Sequence, residues 1–232
     1  MVRYKKTCLM IDCGITKRYL TEHLAKYGMS LDSITACVFT HSHSDHIKGV
    51  KALRGIPLYA PFEIKDCPDE RDVVPYEPFQ IGDLKVLPVK LSHDAPETVG
   101  YIVAGDEKLV SITDTGYISE RNFRLIQNAE YYIFEANHDV EMLMRTNRPA
   151  MLKARIISDV GHMNNTDTGN ILSGVIGAGT REIVLAHLSE EANDPELALN
   201  TVRDVMTENG VSLMGIRLRA ASQHESLEGG NL

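Results

Sequence analysis

No stretch of this chain is apolar for long enough to cross a membrane. The longest apolar runs, residues 109–113 and 183–188, fall far short of the roughly 20 residues that a spanning helix needs. Met1-Val2-Arg3-Tyr4-Lys5-Lys6 is not followed by an apolar segment of signal-peptide length either. Both absences predict a soluble, cytoplasmic protein with no membrane partner. Cysteine is scarce, and the four present, Cys8, Cys13, Cys37 and Cys67, include no CxxC pair. They read as reduced core thiols and are assigned no metal. An excess of positive charge is missing too: the net charge of −8 opposes broad attraction to phosphate polymers, although bound dications and a local basic patch can reverse the field at a site. No repeat and no linker-like segment interrupts the chain. Its 232 residues, 43% of them hydrophobic, are enough for one large domain over residues 1–221, followed by a polar, disordered tail over residues 222–232.

What is present is a regular alternation of strand and helix. Residues 7–12 read as a strand ending in the carboxylate of Asp12, and residues 16–27 as a helix stopped by Gly28. Residues 34–40, 56–59, 84–91, 98–104 and 107–113 read as further strands. The second half continues with a helix from about Ser119, a strand over 131–135, helices from Asp139 and after Thr166, and an apolar strand over 180–188. Asp194 and Pro195 open a helix as N-cap and first residue, with Leu199, Val202, Val205 and Met206 on one face and Gly210 at its end. Residues 211–218 form the last expected strand. The pattern predicts a layered α/β sandwich.

Within this alternation, His41-Ser42-His43-Ser44-Asp45-His46 packs four potential metal ligands into six residues, on a turn between a strand and a helix expected from residue 47 to 53. A rigid strand end aims His41 and His43 at one point, while Asp45 and His46 at the helix start aim at a neighbouring one. Two adjacent ions are the natural reading, and imidazole with carboxylate suits Zn²⁺, Mn²⁺ or Fe²⁺. Other polar residues also stand just past strands: His93, Asp114 and His187. Strand ends on one edge of a sheet converge. The pattern assigns His41, His43 and His93 to one ion and Asp45, His46 and His187 to the other, with Asp114 bridging the two.

An HxHxDH motif, an isolated His93, Asp114 before a Thr-Gly pair and the late His187 resemble the metallo-β-lactamase fold superfamily, across almost the whole chain. Leu91-Ser92-His93-Asp94-Ala95 with Val99-Gly100-Tyr101, Glu135-Ala136-Asn137-His138-Asp139, Ser158-Asp159-Val160-Gly161-His162 and Ala186-His187-Leu188-Ser189 resemble its YycJ (WalJ, VicX) type. The resemblance implies an αββα four-layer sandwich, a cofactor of two divalent ions (Zn²⁺ or Mn²⁺), and 5′-to-3′ exonuclease action on nucleic acid, DNA rather than RNA. Two such ions generate hydroxide at neutral pH and stabilise the leaving oxygen. Glu135 with His162 resembles the pair that protonates the leaving group in ribonuclease Z, His162 as donor and Glu135 orienting it. Asp12 matches the superfamily's motif-one aspartate, which supports the ligand loop from behind. Arg145, Arg148, Lys153 and Arg155 lie between these motifs, and Arg148, Lys153 and Arg155 are the candidate phosphate contacts.

Asp12 lies close to the start, where relatives carry a first strand and a Gly/Ser-rich turn, so the N-terminal edge of the fold is expected to be shortened. Residues 114–162 leave no room for the cap domain of β-CASP enzymes. The same ligand cradle also supports thioester or lactone hydrolysis, as in glyoxalase II, or ribonuclease action. A metal-stabilised binding module is a further alternative.

Overall fold

Buried side chains run unbroken through Cys8-Leu9-Met10, at the centre of Thr7–Ile11 (β2), as a strand covered on both faces requires. Val2–Tyr4 (β1) pairs antiparallel with β2, so a strand stands ahead of Asp12. Ala36–Val38 (β3), Leu58–Ala60 (β4) and Arg71–Asp72 (β5) extend the sheet in parallel, in the order β1-β2-β3-β4-β5. The computed structural model describes residues 1–65, 67 and 70–230. It divides the chain into two units: Met1–Lys90 with Ala95–Asp106, and Leu91–Asp94 with Glu107–Leu232.

In the first unit, Lys17–Lys26 (α1) begins at Thr16, whose hydroxyl caps the Tyr19 N–H, and buries Leu20 and Leu24. These side chains join Met10, Cys37, Phe39 and Leu53 in one core. The helix expected over 47–53 is instead a single turn, Ser44–Ile47 (α2), followed by a 3₁₀ turn over Val50–Leu53. The break has a tertiary cause: the Gly49 N–H donates to the Cys13 carbonyl at 2.7 Å rather than continuing the helical ladder. Phe79–Ile81 (β6), Leu84–Lys90 (β7) and Val99–Ala104 (β8) run antiparallel, with Val86 opposite Val103. Strand β8 holds the segment entering the HxHxDH turn. Tyr101 Oη donates to the Phe39 carbonyl at 2.5 Å, and the Val99 N–H donates to the Thr40 carbonyl at 3.0 Å.

In the second unit, Lys108–Ile112 (β9), Tyr131–Glu135 (β10), Glu182–Ala186 (β11) and Arg217–Ala220 (β12) are all parallel, with β10 between β9 and β11. Helices Glu120–Leu125 (α3), Val140–Arg145 (α4), Ala150–Ile157 (α5), Asn165–Val175 (α6) and Pro195–Glu208 (α7) complete it. Asp194 caps α7 by accepting from the Glu196 and Leu197 N–H groups. Ala198, Val202 and Met206 form its buried face. The last strand lies later than the expected 211–218, because Gly215, at φ +83°, turns the chain before Arg217 pairs opposite Glu182. In the tail, Gly230 donates to Glu182 Oε2 at 2.7 Å; residues 231–232 lie outside the described residues. No helix among the described residues is long and apolar enough to cross a membrane.

Parallel pairing decides where the chemistry lies. Ile11 is paired with Val38, so Asp12 and the segment 39–41 leave adjacent parallel strands at the same end. Ile112 aligns with Phe134, and Glu135 with Ala186, which brings Asp114, Glu135 and His187 to one edge of β9, β10 and β11.

Candidate metal centre

The first unit carries the HxHxDH turn, held from behind by the loop that follows β2. Asp12 Oδ1 accepts from the Thr40 N–H at 2.8 Å, and its Oδ2 accepts from the Thr40 hydroxyl at 2.8 Å and contacts His46 Nδ1 at 2.8 Å. The loop is pressed close: the Cys13 N–H donates to the His46 carbonyl at 2.8 Å, and a Cβ on Gly14 would sit 1.4 Å from the Asp45 carbonyl oxygen. Only glycine fits there. Thr40 Oγ1, having given its proton to Asp12, is an acceptor for His41 Nδ1 at 3.0 Å. The rings of His43 and His46 lie 4.6 Å and 4.1 Å from that of His41. Asp45, on α2, is exposed, with Oδ2 3.7 Å from His46 Nε2.

The second unit carries the remaining residues, gathered around Glu135. Its carboxylate is fully buried and accepts from the Thr115 and Met163 N–H groups through Oε2, at 3.0 and 3.2 Å. Through Oε1 it meets His162 Nδ1 at 2.9 Å and His187 Nδ1 at 2.8 Å. Burial alone pushes this carboxyl up. The hydrogen bonds and charges of His162 and His187 outweigh it and hold the group below its ordinary value. Glu135 is therefore an acceptor only, and both rings donate from Nδ1. Glu135 thus meets both imidazoles from a fully buried position. Asp114 Oδ1 lies 3.5 Å from His187 Nε2 and 3.8 Å from His93 Nε2. His93 Nδ1 is bound to the Gly161 carbonyl at 3.2 Å, and burial chiefly lowers its pKa.

The Nδ1 atoms of His41, His46, His93, His162 and His187 each meet an oxygen of the protein. This is how protein oxygens orient imidazole for a metal. In the second unit, Asp114, Glu135, His162 and His187 each bring one donor atom within 4.8 Å of the others. Glu135 is already taken up by four hydrogen bonds, so Asp114 with an imidazole Nε2 is the part of this set that suits a divalent transition ion. Asp12, Asp114 and His187, each just past a strand, adopt left-handed backbone with φ of +56°, +61° and +58°. Such backbone is uncommon outside glycine, although Lys5, Tyr76, Glu97 and Asn128 also adopt it.

The cations expected to meet phosphate all have partners within the chain. Lys153 Nζ donates to the Met144 and Thr146 carbonyls at 2.7 Å, closing the end of α4, and Arg148 Nε binds Glu191 at 2.9 Å. Arg155 pairs with Asp94, which also approaches His93 Nε2 at 3.2 Å. Two contributors were not anticipated. Thr40 directly precedes the histidine motif, and Asn137 lies within the Glu135–Asp139 motif. In that motif Asp139 caps α4 through the Met142 N–H. The fully buried ring of His138 is held near a pKa of 4, mainly by desolvation.

A family model described as a beta-lactamase superfamily domain matches residues 7–188. Exodeoxyribonuclease YycJ of Bacillus anthracis is 37% identical over 221 residues, covering 87% of this chain and 82% of that one. Exodeoxyribonuclease WalJ of Streptococcus pneumoniae serotype 2 is 36% identical over 213 residues, covering 85% and 79%. The crystal structure of the metallo-beta-lactamase fold protein YhfI from Bacillus subtilis superposes with a TM-score of 0.67 at 18% identity, covering 94% of this chain and 86% of that one. That likeness identifies the fold, the α/β class expected from the sequence. The chain belongs to the beta-lactamase superfamily and is a metallohydrolase of the metallo-β-lactamase fold.

Proposed function

We propose that this hydrolase cleaves phosphodiester bonds in DNA as a 5′-to-3′ exonuclease in the cytoplasm, using two divalent ions, Zn²⁺ or Mn²⁺, within a single hydrolase domain over residues 1–221. The observation that carries the reading is the shared carboxylate of Glu135, which binds Nδ1 of both His162 and His187. Such a pair serves a reaction that needs both a ligand and a proton donor, and an alkoxide leaving group needs that proton where a thiolate does not. The names of the relatives, which align along most of this chain, support DNA as the substrate.

The ligand sets follow the superfamily pattern: His41, His43 and His93 for one ion, Asp45, His46 and His187 for the other, and Asp114 for both. When bound, such ions make water nucleophilic at neutral pH and draw charge from the leaving oxygen. Asp12, through Thr40 and His46, fixes the HxHxDH turn before substrate arrives. His162, with Nδ1 donating to Glu135, presents Nε2 and passes a proton from it to the departing 3′-oxygen. The ionised Glu135 balances the charge of the imidazolium that does so. Arg155 is assigned the phosphate contact because Asp94 ties it to the neighbourhood of His93; Lys153 and Arg148 are held elsewhere.

The test loads purified protein separately with Zn²⁺ and Mn²⁺ and offers 5′-phosphorylated duplex DNA, single-stranded DNA, RNA, a generic phosphodiester and a glutathione thioester, with His43→Ala as control. The reading expects DNA cleavage that disappears in the control. Turnover of the thioester alone would overturn it.

A further inference from the structure

Glu135 aligns the rings of His162 and His187, but a ring is only as well placed as the backbone that carries it. That backbone is gathered by a residue with no assigned role. Asn137 is buried, two residues beyond Glu135. Its side-chain Nδ2 donates to the His187 carbonyl at 2.8 Å, at the point where His187 holds φ +58°. Its own N–H donates to the carbonyl of Met163, which follows His162, at 2.8 Å, and its carbonyl accepts from the Ser189 N–H at 2.8 Å. One amide residue therefore ties both histidine loops to the end of β10, as one carboxylate ties both rings.

We propose that Asn137 is a positioning residue that sets the spacing between the proton-donating ring of His162 and the ligating ring of His187. The inference rests on the roles given to those histidines above. An amide is suited to the position because it must donate to a carbonyl, and a carboxylate of the same shape would repel that oxygen. Partners of this kind, acting behind the ligands, are worth roughly 10–100-fold in activity or metal affinity.

The test compares wild type with Asn137→Asp and Asn137→Ala, and with Leu172→Ala, a truncation of the buried face of α6, as a purely structural control. Two readouts are taken: kcat and KM on bis(p-nitrophenyl) phosphate and DNA, and the imidazole Nδ1–H resonances of metal-free, ¹⁵N-histidine-labelled protein. Both Asn137 variants are expected to lower kcat on DNA by roughly 10–100-fold at unchanged KM, and to shift or lose the His187 Nδ1–H resonance. Leu172→Ala should lower the melting temperature and leave that resonance in place. Unchanged kcat and resonances in the Asn137 variants would overturn the inference. If wild type cleaved no phosphodiester while Asn137→Asp still displaced the His187 resonance, the positioning would stand and the proposed function would fail. Should neither variant fold, hydrogen exchange of the Asn137 side-chain amide in wild type decides: slow exchange supports the clasp, and exchange at the rate of an exposed amide refutes it.

Discussion

At the scale of single residues, one buried carboxylate governs two imidazoles. Glu135→Gln keeps the shape of the side chain but removes the charge that both Nδ1–H groups face. Activity is expected to fall by roughly 10–100-fold with the fold intact, measured as kcat on DNA beside a far-ultraviolet spectrum. His138 gives a separate test in acid. Its ring is neutral in the folded chain down to about pH 4, against an ordinary value of 6.5, because burial disfavours the cation. Above pH 6.5 neither state holds the extra proton. Between 6.5 and 4 the unfolded chain takes it up and the folded one does not, so stability falls as pH falls, by on the order of 3 kcal/mol. His138→Phe removes this contribution. Urea unfolding at pH 7 and pH 4.5 should show wild type losing more stability than the variant, and equal losses would refute the assignment.

At the scale of elements, the parts legible in the sequence were those whose signals are local. Helix α7 announced itself through Asp194, Pro195 and Gly210, and strand β2 through an apolar run ended by Asp12. Asp194→Ala should cost about 1 kcal/mol in unfolding free energy and leave kcat unchanged, since the cap lies on α7. Two elements departed from expectation, one through a tertiary contact and one through a local turn. The helix expected over 47–53 breaks because Gly49 bonds to Cys13, and β12 starts late because Gly215 turns the chain. The close approach of Gly14 to Asp45 is equally invisible without the fold. Gly14→Ala would push the HxHxDH turn out of place. It should reduce bound metal per chain and cost about 1–3 kcal/mol, whereas full metal content in that variant would show that the turn tolerates displacement.

At the scale of the whole molecule, the superfamily was legible, and candidate ligands could be named, because HxHxDH and the later His93, Asp114 and His187 are fixed-spacing or strand-end signals. The supports were not: Thr40, Asn137 and the second bond of Glu135 depend on which strands lie side by side, and no spacing encodes that. If divalent ions bind the folded chain, they must also stabilise it by mass action. Free metal at one hundred times its dissociation constant is worth about 2.7 kcal/mol, so chelation should lower the melting temperature of wild type and do much less to His43→Ala. Central to the proposed function is phosphodiester cleavage in which His162 protonates the leaving oxygen. It is tested most directly by the turnover of metal-loaded His162→Ala on end-labelled DNA and on a p-nitrophenyl phosphodiester, with bound metal measured alongside. Unchanged metal content is expected, with a loss of roughly a hundredfold or more on DNA and a much smaller loss on the nitrophenyl ester, whose leaving group needs no proton. Equal losses on both substrates, or no DNA cleavage by wild type, would contradict it.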